Sequence, residues 1–308
     1  MHDHGHDLKD SPNPLPGVQH GPMTKAPSLA ITGATGRLGG RIARRIASAG
    51  ASQRLVVRDP RRAPDLPGAT AVPASYAEGD AVRAALEGVA TVLMVSASES
   101  ADRVAQHLAF VDAATEAGVE HLVYISFFGA APNSTFTLAR DHDATEQHIR
   151  ASGLGFTFLR DNLYADFVPL LAGEDGVIRG PAGDGRVAAV TQDDIADVAT
   201  TVLLDPGAHA GATYSLTGPE ALSMTEIAEI LTAHGGRPVS YHAETVPEAY
   251  ASRASYDAPD WQLDAWVSTY TAIAAGELAT VTDDVERLSG HPATSLAIMM
   301  AHQGSPRG

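Results

Sequence analysis

From residue 28 onward, short apolar runs alternate with longer amphipathic stretches. The apolar runs predict six strands, at 28–32, 54–58, 69–72, 90–95, 121–125 and 156–160. The stretches between them have helical spacing over 37–49, 78–87, 99–117 and 136–151. Strands that are apolar throughout and alternate with helices are typical of a parallel sheet covered on both faces. We therefore predict a doubly wound α/β fold.

The alternation loosens after about residue 161. Helices are predicted at 192–204, 223–234, 246–254, 260–275 and 283–288, with short strands near 187–190, 213–216 and 238–242. We expect three parts: a flexible tail at 1–24, a main domain at 25–160, and a smaller α/β lobe at 161–308 that is interleaved with the main domain. The tail is rich in proline and histidine, which is typical of disorder. Its histidines could chelate a metal, but we predict no metal site.

A glycine loop joins the first strand to the first helix. Its spacing is Gly33-Ala34-Thr35-Gly36-Arg37-Leu38-Gly39. Glycines at these places allow a tight turn and let a pyrophosphate approach backbone N–H groups at the N-terminus of a helix. A structural turn remains the alternative, but the strand–loop–helix context favours a Rossmann-type dinucleotide site. The main domain is therefore predicted to bind a dinucleotide, and the smaller lobe to bind a substrate.

The end of the second strand bears on the choice of nucleotide. NAD-binding units place an acid about 20 residues beyond the loop, and Arg58 lies 19 residues after Gly39. A guanidinium there matches a 2′-phosphate in charge and shape. Arg37 could reach the same group, while Asp59 could instead act as the acid of an NAD site. We predict NADPH and regard NADH as the weaker candidate.

Composition excludes several chemistries. Lys9 and Lys25 are the only lysines, and the chain has no cysteine. A Gly-Lys phosphate loop, a Schiff-base lysine and a thiol nucleophile are therefore absent from the predicted fold. The net charge of −16 argues against nucleic-acid binding, and no apolar run is long enough to span a membrane. We expect a cytoplasmic protein, because no signal-peptide pattern is present.

The motifs together resemble the NmrA-like family of atypical short-chain dehydrogenase/reductases. ITGATGRLG, VVRDPRRA, MVSAS, QHLAFVDAATEAGVEHLVYISFFGA and ARDHDATEQHIRASGLGFTFLRDNLYADF carry the resemblance. It covers about residues 26–300 and is strongest to bacterial NAD(P)H:quinone oxidoreductases. It implies a set of cofactor contacts at Gly33, Thr35, Gly36, Arg37, Leu38, Arg58, Tyr76, Ser96, Ala97, Ser126 and His142. Ser75 departs from an Asp that is common in the family, which affects the expected adenine contact.

The resemblance also indicates which chemistry is available. It places His142 where ordinary short-chain dehydrogenases have a catalytic Lys, and Leu138 where they have a Tyr. Alcohol–ketone interconversion by a Tyr–Lys pair is therefore not expected. A quinone accepts hydride readily, and its reduced anion is a weak base. His142 is the candidate proton donor, because its ordinary pKa lies near neutral pH, although a surface histidine without a role is the alternative.

The acceptor is expected at the carboxyl ends of the fifth and sixth strands, where open α/β sheets bind ligands. Phe127 and Phe128 are predicted to form an apolar wall, and Asn162 and Tyr164 to contact the acceptor and to take part in catalysis. Trp261 and Trp266 are interpreted as packing residues.

Two functions remain open. The first is an NADPH-dependent reductase of quinones or similar conjugated acceptors. The second is a non-catalytic NADP(H)-binding protein that senses redox state. An open space opposite the nicotinamide would favour the enzyme. The expected partner is a small, quinone-like acceptor, and the protein could form a homodimer.

Overall fold

A computed structural model describes residues 28–303, so the predicted tail at 1–24 lies outside the described residues. Seven parallel strands form the main sheet in the order β3-β2-β1-β4-β5-β6-β9. The strands are β1 (Leu29–Thr32), β2 (Gln53–Val57), β3 (Ala69–Pro73), β4 (Thr91–Val95), β5 (His121–Phe127), β6 (Gly155–Asp161) and β9 (Thr213–Leu216). This Rossmann-type α/β sheet confirms the predicted fold class.

Helices cover both faces of this sheet. They are α1 (Arg37–Ser48), α2 (Gly79–Leu86), α3 (Arg103–Glu116), α4 (Thr137–Ser152), α5 (Gln192–Leu204) and α9 (Asp284–Ser289). β1 and β5 are buried along their whole length, and β4 is buried at every residue but its last. Their apolar side chains therefore pack on helices at both faces, as the uninterrupted apolar runs require.

Residues beyond position 161 contribute to the main sheet. β9 pairs in parallel with β6, α5 packs against α1, and α9 packs against α5 and β9. The chain therefore leaves the sheet after β6 and returns to it.

The remaining elements form a smaller region with its own buried apolar cluster. β7 (Val177–Gly180) pairs with β11 (Ser240–Ala243), and β8 (Arg186–Val187) pairs with β10 (Leu222–Ser223). The helices there are α6 (Met224–Gly235), α7 (Val246–Arg253), α8 (Asp260–Ala274) and α10 (Leu296–Gln303). The strand β7, the helix α10 and a 3₁₀ helix at Ala165–Leu171 were not predicted. The helix expected at 99–117 begins only at Arg103.

The order of the strands fixes where a ligand can bind. The chain moves outward from β1 to β3 on one side, and then continues from β4 on the other side of β1. At such a reversal the loops that follow the two central strands diverge and leave a crevice. Here those loops begin at Gly33 and at Ser96.

Candidate functional site: a nucleotide groove beside an apolar cavity

The glycine loop is shaped for a close backbone approach. Gly33 has φ of +66°, a conformation that a side chain would strain. A Cβ on Gly39 would lie 2.4 Å from the carbonyl oxygen of Gly33. Gly36 precedes α1, and no side chain caps the helix there. The first N–H groups of α1 therefore face the crevice and favour an anion. The Leu38 side chain is buried in the core, so only its backbone can serve a ligand.

A groove of about 380 Å³ opens at this loop. Its lining includes seven of the predicted cofactor residues: Gly33, Thr35, Gly36, Arg58, Tyr76, Ser96 and Ala97. The loop that follows β4 supplies the wall opposite the glycine loop. The groove thus lies at the topological switch point of the sheet.

The two residues that bear on nucleotide choice lie in different surroundings. Arg58 is exposed on the groove and forms no ion pair with any described carboxylate. Asp59 accepts from the backbone N–H and from the guanidinium of Arg61, with Nε–Oδ1 at 3.0 Å. The hydrogen bonds from Arg61 lower the pKa of Asp59. The carboxylate is therefore engaged while the guanidinium of Arg58 is available, which fits a phosphate on the adenosine ribose.

Tyr76 joins the two loops of the groove. Its hydroxyl donates to the carbonyl of Val95 at 2.6 Å and accepts from Thr32, whose oxygen accepts from the N–H of Val95. Burial raises the pKa of Tyr76, so the phenol stays neutral. Its ring packs on Phe110 with centroids 4.5 Å apart. Tyr76 therefore lines the groove, and its hydroxyl ties β1 to β4.

His142 lies in a buried network and does not line the groove. Its Nε2 atom is 2.9 Å from Nη2 of Arg103, and its Nδ1 atom is 2.9 Å from the hydroxyl of Tyr124. A guanidinium only donates, so Nε2 accepts and the single proton sits on Nδ1. Burial lowers the pKa of His142 well below its usual value, and the charge on Arg103 adds to this. This neutral, enclosed ring does not fit the predicted proton donor.

Arg103 and His107 hold the loop that follows β4. Arg103 is buried; its Nε donates to the carbonyl of Ala97, and its other nitrogens reach Asp141 and His142. Nε2 of His107 accepts from the N–H of Ala97 at 2.8 Å. Both peptide groups of Ala97 are therefore fixed by side chains of α3. Burial lowers the pKa of His107 to about 3, which keeps it an acceptor.

The hydroxyl of Ser126 does not reach the groove. It is fully buried and donates to Glu146 at 2.6 Å. Glu146 also accepts two hydrogen bonds from Arg160, at 2.8 and 2.6 Å. This ion pair binds α4 to β6. The hydroxyl proton of Ser126 is thus used inside the protein, and the cofactor contact of Ser126 stays a prediction.

A second cavity of about 550 Å³ lies in the smaller region. Its wall is almost wholly apolar and aromatic, and it comes from the 3₁₀ helix at Ala165–Leu171 and from α6 and α8. The lining includes Leu163, Tyr164, Phe167, Met224, Ile227, Tyr256, Trp266 and Tyr270. Trp266 therefore faces this space, whereas it was interpreted as a packing residue. A space of this size and character suits a planar, apolar ligand.

The groove and the cavity are neighbours. The guanidinium of Arg37, in the glycine loop, lies 5.5 Å above the ring of Phe167, which lines the cavity. One turn further along α1, Arg41 pairs with Asp166 at 2.7 Å. Arg37 follows the groove residue Gly36 and contacts the cavity residue Phe167, although it is not itself among the residues that line the groove.

Three predicted acceptor residues lie outside the cavity wall. Phe127 is buried against Phe136, with centroids 4.9 Å apart, and Phe128 packs against the same apolar cluster. Asn162 is buried; its amide nitrogen donates to the carbonyl of Leu278, and its oxygen accepts from the N–H of Leu163. Both ends of this amide are satisfied internally, so it does not fit an acceptor contact. Among these predictions, only Tyr164 lines the cavity.

Some of the residues of the site carried little sequence signal. Neither Arg103 nor His107 is among the residues that the sequence predicts for the site. The sequence signal that could have found them is an arginine and a histidine four residues apart on the helix that follows β4.

Among residues 28–303, no cluster of three or more potential ligands could hold a metal ion. Within the same range, no helix is both long and apolar enough to cross a bilayer.

Comparisons with known proteins agree with this geometry. Quinone oxidoreductase 2 of Escherichia coli is 34% identical over 281 residues, which cover 89% of this chain and 98% of the relative. The crystal structure of that protein with NADPH matches with a TM-score of 0.82 and 33% identity, covering 90% of this chain and 100% of that chain. NAD(P)H azoreductase of Xenophilus azovorans is 32% identical over 274 residues, which cover 87% of this chain and 95% of the relative.

A more distant structure shows the breadth of the fold. NmrA, a negative transcriptional regulator solved with NADP, matches with a TM-score of 0.71 at 18% identity, covering 90% of this chain and 95% of that chain. At that identity it shares the fold alone. The predicted resemblance to NmrA-like proteins and quinone oxidoreductases is confirmed. A family model described as NAD(P)H-binding matches residues 33–206, and the chain belongs to this NAD(P)H-binding family.

Proposed function

We propose that this protein is an NADPH-dependent reductase that transfers hydride to a quinone or a similar conjugated acceptor. The observation that carries the proposal is the apolar cavity beside the nucleotide groove, with Arg37 of the glycine loop over Phe167 of the cavity wall. The relatives named quinone oxidoreductase and azoreductase support the same class of reaction.

The residues that would hold the cofactor are those of the groove. The uncapped start of α1 suits the pyrophosphate, and Arg58 suits the 2′-phosphate. Ala97, fixed by Arg103 and His107, forms the opposite wall. Reduced nicotinamide supplies the hydride in this class of reaction, and the protein positions the acceptor and supplies the proton.

The cavity favours an aromatic acceptor. Its wall is almost wholly apolar, and Trp266, Tyr256 and Phe167 contribute aromatic rings to it. Tyr164 is the proposed catalytic contact, because it is the predicted acceptor residue that lines this cavity. The alternative, a redox sensor without catalysis, would not need a cavity of this size next to the groove.

The test is acceptor-dependent oxidation of NADPH by the full-length protein. We expect turnover with benzoquinone and naphthoquinone well above the rate without acceptor, together with saturable NADPH binding in calorimetry. Tight NADPH binding without acceptor-dependent turnover would contradict the proposal and favour the sensor. Absence of NADPH binding would contradict both.

A further inference from the structure

Asp161 is a buried acid that the reaction described so far does not use. It is the last residue of β6, is 3% exposed, and lies at the edge of the sheet where ligands bind. No arginine or histidine among the described residues forms an ion pair with it. A buried carboxylate without a cationic partner is costly, so burial raises the pKa of Asp161 well above its usual value.

Within residues 28–303, the side chain that forms a hydrogen bond with the Asp161 carboxyl group is that of Tyr164, a cavity residue. The hydroxyl of Tyr164 donates to Oδ2 of Asp161 at 2.8 Å, and Tyr164 is one of the residues that line the cavity. When Asp161 carries a proton, its own O–H donates to the phenol oxygen and the direction of this bond is reversed. The backbone around Tyr164 is fixed, because the N–H of Ala165 donates to the carbonyl of Val190 at 2.8 Å. The acid and the phenol therefore form a connected path from the sheet edge to the acceptor space.

The other charged and titratable groups that face this pair do not take its place. Burial raises the pKa of Asp161, and the charge on Arg103 of α3 opposes part of this rise. The nitrogens of Arg103 form hydrogen bonds with Ala97, Asp141 and His142 instead of with Asp161. Tyr124 of β5 faces Tyr164 and has a raised pKa because it is buried. Asp161 is thus the acid in this cluster that can hold a proton for release.

We propose that Asp161 holds a proton and passes it through the hydroxyl of Tyr164 to the reduced acceptor, so that the enzyme accepts conjugated substrates whose reduced anions are strong bases. This rests on the proposed reductase function. Once hydride has added to one end of a conjugated system, the electron pair of its π bond moves to the terminal oxygen or nitrogen. That atom takes the proton of Tyr164, Tyr164 takes the proton of Asp161, and the carboxylate recovers a proton from water.

The consequence is a difference between acceptors. A hydroquinone anion is a weak base and needs little help from an acid. An enolate, formed when hydride adds to an α,β-unsaturated ketone, is a much stronger base, and a positioned acid contributes roughly 10²–10⁴-fold to such a step. Tyr164 would be the catalytic residue, and Asp161 a positioning residue that acts through it.

The experiment compares two acceptors, benzoquinone and the α,β-unsaturated ketone benzylideneacetone, in wild type, Asp161→Asn and Tyr164→Phe. We expect both variants to lose about 100-fold in kcat on the ketone, and Asp161→Asn to lose less than about threefold on the quinone. Tyr250→Phe is the matched control, because its hydroxyl donates to Asp264 at 2.7 Å and Tyr250 is not among the residues that line the cavity. It should leave both rates unchanged.

A pH profile separates proton supply from simple support of the fold. The pKa of Asp161 is raised, so the wild-type rate on the ketone should be highest at low pH and fall as pH rises through that value. Asp161→Asn should lose this decline. Equal losses on both acceptors in Asp161→Asn, an unchanged decline in that variant, or wild-type quinone turnover without ketone turnover would each overturn the inference. Wild-type inactivity on both acceptors would instead count against the proposed function.

Discussion

Removing the guanidinium of Arg58 should shift the preference between NADPH and NADH. Arg58 is exposed on the groove and has no carboxylate partner among the described residues. A hydrogen bond to a charged group contributes about 1.5–3 kcal/mol. Solvent screens an exposed pair, so the lower figure applies, and it corresponds to about a tenfold change in an equilibrium constant. Arg58→Ala should therefore raise the KM for NADPH about tenfold.

The assay measures kcat/KM for NADPH and for NADH with benzoquinone as acceptor. The ratio of the two should fall about tenfold in Arg58→Ala, and the effect should shrink at high salt because surface charges are screened. Arg61→Ala is the charge-matched control, since Arg61 pairs with Asp59 and does not line the groove. Equal losses with both cofactors, or the same shift in Arg61→Ala, would refute the assignment of Arg58 to the 2′-phosphate.

Three further predictions concern other parts of the molecule. Trp266→Ala removes an aromatic ring from the cavity wall and should raise the KM for naphthoquinone about tenfold, an effect of about 1.4 kcal/mol. Trp261→Ala on the same helix should leave this KM unchanged. Equal KM values in the two variants would refute the assignment of the cavity to the acceptor. Glu146→Ala leaves the partly exposed Arg160 unpaired and should lower the free energy of unfolding in urea by about 3 kcal/mol, and a loss under about 1 kcal/mol would contradict this. His107 has a pKa of about 3 in the folded state against an ordinary 6.5. Between these two values the unfolded chain binds one proton more than the folded chain, so the free energy of unfolding decreases as the pH is lowered. His107→Gln should make that decline shallower by about 1.4 kcal/mol per pH unit, and parallel curves would contradict it.

Local signals in the sequence were enough to place the glycine loop and Arg58 at one groove. The glycine loop, the strand before it and Arg58 are close together along the chain, and each occupies the predicted place. The catalytic half was predicted less well. Asn162 follows a strand end as expected, yet its amide is satisfied by Leu278, more than a hundred residues away. A sequence shows which hydrogen-bonding groups exist, but not which of them are already paired inside the protein.

The sequence by itself determined the succession of strands and helices, the loop that accepts a dinucleotide, and the absence of a Tyr–Lys pair. These features depend on the periodicity of apolar residues and on residue identity at short range. Tertiary structure alone decided that β9 completes the main sheet, that His142 is enclosed by Arg103 and Tyr124, and that Trp266 faces a cavity. The physical reason is that the pattern of apolar and polar residues along the chain is the same whether a given side chain packs in a core or faces a ligand. Only the arrangement of distant segments separates the two.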